Sequence, residues 1–142
     1  MSKKTPEDVN RVINDNLRKD LKVLELALNK VNEELVEYIQ LEKTIEFMKT
    51  HSSDGLKTKV DIGANMFMQA KAEKIEPILI NVGLDIYLQL EIEEALKFLK
   101  MKIKILKKEA DVIRDESLKI RSQIKILLMY LAEQGNFSLA AK

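Results

Sequence analysis

Twelve positions in the last third of the chain constrain its fold more than any others. Ile92, Leu96, Leu99, Ile103, Leu106, Ala110, Ile113, Ser117, Ile120, Ile124, Leu127 and Leu131 follow one another at alternating steps of four and three, and only Ser117 is polar. That rhythm is the seam of a left-handed coiled coil, whose apolar side chains need a second helix to cover them. At about 1.5 Å per residue the segment makes an arm of roughly 60 Å. The covering partner lies near the N-terminus, where Leu17, Leu21, Leu24, Leu28, Val31, Leu35 and Tyr38 keep the same rhythm. Past Tyr38 a strict register would place Glu42 and Lys49 in the seam. The apolar residues fall instead at Leu41, Ile45 and Met48, the drift expected of a helix leaving the 3.5 repeat. Thr5-Pro6-Glu7-Asp8 supplies a cap, a first-turn proline and acids for the helix start. Gly135-Asn136 predicts a helix stop. The arms are thus expected over 7–50 and 92–134, with a tail at 135–142.

Between the arms the period changes to two. His51 to Gly55 (HSSDG) breaks the first helix. Val60 and Ile62, then Met66, Met68, Ala70 and Ala72, then Ile78, Ile80 and Val82, then Leu84, Ile86, Leu88 and Leu90 alternate with mostly polar neighbours. Four short strands with one apolar face each follow from this. Gly63-Ala64-Asn65 and Gly83 mark tight turns, so residues 56–91 group as two β-hairpins. The expected fold is mainly α with a small β part: a long antiparallel coiled-coil hairpin with two β-hairpins inserted between its helices, one domain over 1–142. Glu33 to Glu46 holds five Glu and one Lys, Lys97 to Lys108 six Lys and no acid, so antiparallel pairing should set these stretches side by side.

Composition narrows the function classes. The chain has 142 residues, 33% of them charged, with a net charge of +1. No global field steers it toward nucleic acid or a membrane surface. It has no cysteine and one histidine, which cannot make a zinc site. No apolar run approaches the ~20 residues of a membrane span, and the start MSKKTPEDV lacks the apolar core of a signal peptide. Cytosolic or nuclear residence is the expectation. His51, Ser52, Ser53 and Asp54 are neighbours in a linker, where turn chemistry explains them better than a catalytic triad. Gly63 and Gly83 lack the Lys and Thr of a phosphate loop, and Glu91 to Ala95 (EIEEA) reads as a helix start. No cofactor is called for, and the chain is expected not to be an enzyme.

A two-stranded hairpin with one apolar face is not stable alone in water, and its edges invite pairing. Val60, Ile62, Met66, Met68, Ile78, Ile80, Ile86, Leu88 and Leu90 are therefore expected to contact neighbouring subunits, and a charge at Ile80 or Leu88 to strip the chain from its complex. Leu128, Met129, Tyr130 and Phe137 exceed what the seam needs at one arm end, and Val9, Val12, Ile13 and Leu17 lie on the opposing arm. Surplus apolar surface usually marks binding. The alternative is that these residues only close the coil.

Long helix, two hairpins, long helix resembles the plan of α-class prefoldin subunits. Motif likeness lies in VDIGANMFMQA (Val60 to Ala70) and INVGLDIYLQLEIEEALKFL (Ile80 to Leu99), with Val60-Asp61-Ile62-Gly63 and Val82-Gly83 as the repeated element and Glu93-Glu94-Ala95 as the helix entry. The resemblance implies a hexamer of two α-class and four β-class prefoldin subunits, whose hairpins form a double-barrel platform. The arm tips would then hold unfolded client proteins and pass them to a chaperonin without nucleotide hydrolysis. Prefoldin-like members implied by the same resemblance sit with an AAA-ATPase co-chaperone assembly, or act as transcription cofactors and centrosomal scaffolds. No direct nucleic-acid or membrane partner is implied.

Overall fold

The computed structural model describes residues 5–51 and 55–140, the last five as helix backbone only. The elements are α1 (Pro6–Arg11), a π-helical turn (Val12–Leu17), α2 (Arg18–His51), β1 (Leu56–Gly63), β2 (Met66–Ala72), β3 (Ile78–Gly83), β4 (Ile86–Leu90) and α3 (Ile92–Ala140). Where the sequence reads as one domain, the chain divides into two compact units, one of Met1–Glu34 and Leu106–Lys142, the other Leu35–Ile105. Both long helices contribute to both units.

Helix α1 begins as its sequence dictates. The Thr5 N–H donates to Asp8 Oδ2 at 3.1 Å and the Asp8 N–H donates to Thr5 Oγ1 at 3.3 Å, a reciprocal capping box, with Pro6 in the first turn. The π turn that follows is not foreseen from the periodicity read above. The Arg18 N–H donates to the Ile13 carbonyl, five residues back. Its cause is legible afterwards. Val9, Ile13, Leu17 and Leu21 are spaced four apart, and on a 3.6-residue helix three such steps swing an apolar stripe by about 120°. One wider turn takes up that lead and keeps all four turned inward: Val9 and Ile13 are buried, Leu17 and Leu21 half-buried.

Within the same unit Val31, Leu106, Ala110 and Ser117 are buried, and the Arg121 guanidinium donates to Glu25 Oε1 at 2.7 Å. Ser117 is the polar member of the seam. Its hydroxyl donates to the Ile113 carbonyl at 2.9 Å, so the buried oxygen is satisfied within its own helix. None of the twelve seam positions of α3 is exposed.

The other unit has its own core. Ile45, Ile80, Ile92, Ala95 and Leu99 are buried together, with Tyr38, Ile75, Ile78, Val82, Leu90 and Leu96 packed against them. Its helices run antiparallel: the Lys49 ammonium donates to Glu93 Oε1 at 3.0 Å, while Lys102 sits 5.6 Å from the Tyr38 ring centroid. The start of α3 is tied down from two sides. The Glu91 N–H donates to Glu94 Oε2 at 3.3 Å and the Ile92 N–H to Glu76 Oε1 at 3.2 Å. The acids of EIEEA serve the helix start, as expected.

Three expectations need correction. Helix α3 runs through Ala140, past the expected stop at Gly135-Asn136. A glycine ends a helix by turning left-handed, and Gly135 does not have a positive φ. Leu41 is 37% exposed while Glu42 is half-buried, so the seam keeps its strict register there and the drift shows only at Met48. The facing acidic and basic stretches also form fewer ion pairs than their charge suggests. Lys100, Lys104, Lys107 and Lys108 have no carboxylate within 4.0 Å among the described residues, nor do Glu33, Glu37, Glu42 and Glu46 have an amine. Exposed pairs gain too little, about 0.2–1 kcal/mol, to hold long side chains in one geometry.

Candidate assembly interface

The two hairpins are built by one device used twice. In the first, Asp61 Oδ1 accepts from the Gly63 N–H at 2.8 Å; in the second, Asn81 Oδ1 accepts from the Gly83 N–H at 2.9 Å. Each side chain bonds the backbone two residues on, and the ladder slips at that point. Gly63 (φ 99°) and Gly83 (φ 113°) then lead into Ala64-Asn65 and Leu84-Asp85, all four with φ between 51° and 59°. Positive φ at both central residues is the hairpin turn whose twist matches the strands.

β1 pairs with β2 and β3 with β4, giving two separate two-stranded sheets among the described residues. Register sets the faces. Val60 stands opposite Met68 in the first hairpin, and Ile80 opposite Leu88 in the second. Of these, Val60 and Ile80 have opposite fates. Ile80 is 4% exposed, packed on Ile45, Ile92, Ala95 and Leu99, whereas Val60 is 46% exposed; Met68 and Leu88 are both exposed.

The expected joint residues therefore separate. Val60, Ile62, Met66, Met68, Ile86 and Leu88 lie exposed and free to meet a neighbour. Ile80 does not: it is buried in the chain's own core, with Ile78 and Leu90 half-buried against that core. A charge at Ile80 would strike this internal core as well, so Ile80 does not read the subunit joint in isolation. By alternation Leu84 opens the apolar face of the last strand, but β4 begins only at Ile86. Leu84 sits at the second turn with φ 51° and is 95% exposed. A branched residue in left-handed backbone is strained, and nothing within the described chain covers it. An apolar residue where turns favour Asn or Gly was the available signal.

The expected tip residues separate too. Val9 and Ile13 are buried and Val12 and Leu17 half-buried, so little of the N-terminal cluster is open to solvent. Leu128, Met129 and Tyr130 are exposed, while the side chain of Phe137 lies outside the described residues. His51 is the last residue of α2, not part of the linker. Its ring stacks on Phe47 at 4.3 Å between centroids, with Nδ1 2.9 Å from Thr50 Oγ1. Ser52, Ser53 and Asp54 lie outside the described residues.

The acidity of Glu93 is perturbed. Its hydrogen bond to Lys49 and the charges of Lys49 and Lys97 hold its carboxyl below the usual glutamate range.

Two long seamed helices joined by two such hairpins define the class of subunit to which the fold belongs. The prefoldin subunit family model matches residues 17–137. This chain belongs to that family, and with it to a chaperone-like class of subunit. Its relatives are more particular: it is 32% identical over 121 residues to Protein UXT of Bos taurus, covering 85% of this chain and 78% of the bovine one. For the UXT protein of Homo sapiens the figures are 31%, 85% and 77%. The UXT homolog of Nematostella vectensis is 29% identical over 123 residues. The fold is also that of filamentous PFD from Methanocaldococcus jannaschii, solved by cryo-EM, with a TM-score of 0.66 at 24% identity over 82% of this chain and 98% of that one.

Proposed function

We propose that this chain is a non-enzymatic, chaperone-type subunit of a prefoldin or prefoldin-like hexamer, joined to its neighbours by the strands. One observation carries the reading. The first hairpin presents Val60, Ile62, Met66 and Met68 to solvent on one side of a sheet only two strands wide. Covering the exposed parts of such side chains is worth about 1 kcal/mol each, and a third strand would complete the edges. The neighbours are β-class prefoldin subunits and a second α-class subunit. The exposed Leu128, Met129 and Tyr130 serve unfolded clients. A chaperonin or an AAA-ATPase co-chaperone assembly is the receiving machinery, in cytosol and nucleus.

Co-expression of the tagged chain with β-class prefoldin subunits and a second α-class subunit, followed by native mass spectrometry, tests the joint. The unmodified chain enters a hexamer, and Val60→Asp with Met68→Asp does not. A hexamer that survives this double change, or a chain that stays alone throughout, removes the reading. With assembly intact, Leu128→Ser and Met129→Ser weaken suppression of the aggregation of an unfolded substrate.

A further inference from the structure

The side of the first hairpin away from Val60 and Met68 has a different chemistry. In the ladder Lys57 stands opposite Lys71, Lys59 opposite Gln69, and Asp61 opposite Phe67. All six are exposed. Directly opposed residues have Cβ atoms about 5 Å apart, so Lys57 and Lys71 face each other as like charges. Lys59 lies about 7 Å along the same strand. Among the described residues none of these lysines has a carboxylate within 4.0 Å. The one acid on this side, Asp61, already accepts from the Gly63 N–H at 2.8 Å.

The turn device does not require charge on this side. The second hairpin uses the same device, and its counterparts of Lys59–Gln69 and Asp61–Phe67 are Leu79–Gln89 and Asn81–Tyr87, all uncharged. Like charges placed directly opposite destabilise a sheet. An anionic occupant turns that repulsion into attraction for both.

We propose that this basic side binds an extended acidic segment of a partner protein, with carboxylates on alternate residues reaching the Lys57–Lys71 pair and Lys59, and an apolar residue resting on Phe67. The spacing supports an extended peptide. Same-side residues of any strand repeat at about 7 Å, the separation of Lys57 and Lys59. Nucleic acid fits less well, since the patch has no Arg to grip a phosphate with two bonds and one aromatic for stacking. The inference does not rest on the assembly reading, because Val60 and Met68 point the other way.

The test is fluorescence anisotropy of a labelled peptide of alternating Glu and Val, titrated with the full chain at low salt. A peptide of the same composition with its Glu in one block and an oligothymidylate serve as competitors. The alternating peptide binds, and Lys57→Gln with Lys71→Gln weakens it about tenfold, the effect of two exposed ion pairs. Lys107→Gln with Lys108→Gln, the same charge change elsewhere, leaves binding as it was. Absence of binding, equal loss in both double variants, or equally tight oligothymidylate overturns the proposal. So does aggregation of the first variant with unchanged binding, which would assign the lysines to keeping strand edges apart.

Discussion

Ile80 and Val60 are each three residues before the turn glycine of their hairpin, and both face the apolar side. Truncating each to alanine in the full chain separates the internal core from the joint. Ile80 is 4% exposed within a buried cluster, where loss of an aliphatic side chain down to alanine costs about 2–5 kcal/mol. Taking about 3 kcal/mol, and about 2 kcal/mol per molar for the urea dependence of a small protein, the midpoint falls by about 1.5 M. Val60 is 46% exposed, and truncation there changes stability by less than about 0.5 kcal/mol, or about 0.25 M. Urea titration followed by the helical circular dichroism signal reads both. In the assembly Val60→Ala becomes costly as well, because its exposed half is then covered. An Ile80→Ala shift no larger than that of Val60→Ala in the chain alone would refute the division of strand residues into core and joint.

Leu84→Asn relieves left-handed strain at a 95% exposed site, so thermal melting of the chain alone rises by up to about 1 kcal/mol equivalent while hexamer yield falls. Ser117→Leu overfills a buried seam position and costs about 1–3 kcal/mol in denaturant titration, whereas Ser117→Ala stays within about 0.5 kcal/mol, since the hydroxyl bonds only its own helix. Glu93, held below the usual range by Lys49, stabilises the fold fully above the ordinary glutamate value of about 4.3. That contribution is lost as pH falls through its lower folded value. Carboxyl NMR titration sees the Glu93 midpoint move up in Lys49→Gln, and an unmoved midpoint would contradict the pairing.

Much of this protein is determined by sequence alone. The seam from Ile92 to Leu131 is covered at every position because a 3.5-residue apolar repeat has one low-energy answer, a second helix. The hairpins follow from period-two alternation and from Gly63 and Gly83, whose φ of 99° and 113° lies beyond the left-handed region that side-chain-bearing residues reach. Thr5 and Asp8 cap a helix with atoms a few residues apart. Periodicity shows which side of an element is apolar, but not what covers it. Val60 and Ile80 share one local pattern, yet only Ile80 meets the helix core, because that depends on where each hairpin lies against Ile45, Ile92 and Leu99. The burial of Val9 and Ile13 likewise needs the π turn, and the helical course of Gly135 needs the backbone conformation. That Lys100, Lys104, Lys107 and Lys108 meet no carboxylate among the described residues could not be read from charge counts, since an ion pair depends on side-chain reach. These outcomes belong to tertiary structure because they depend on contacts between segments distant in the chain or on a local geometry that several sequences share.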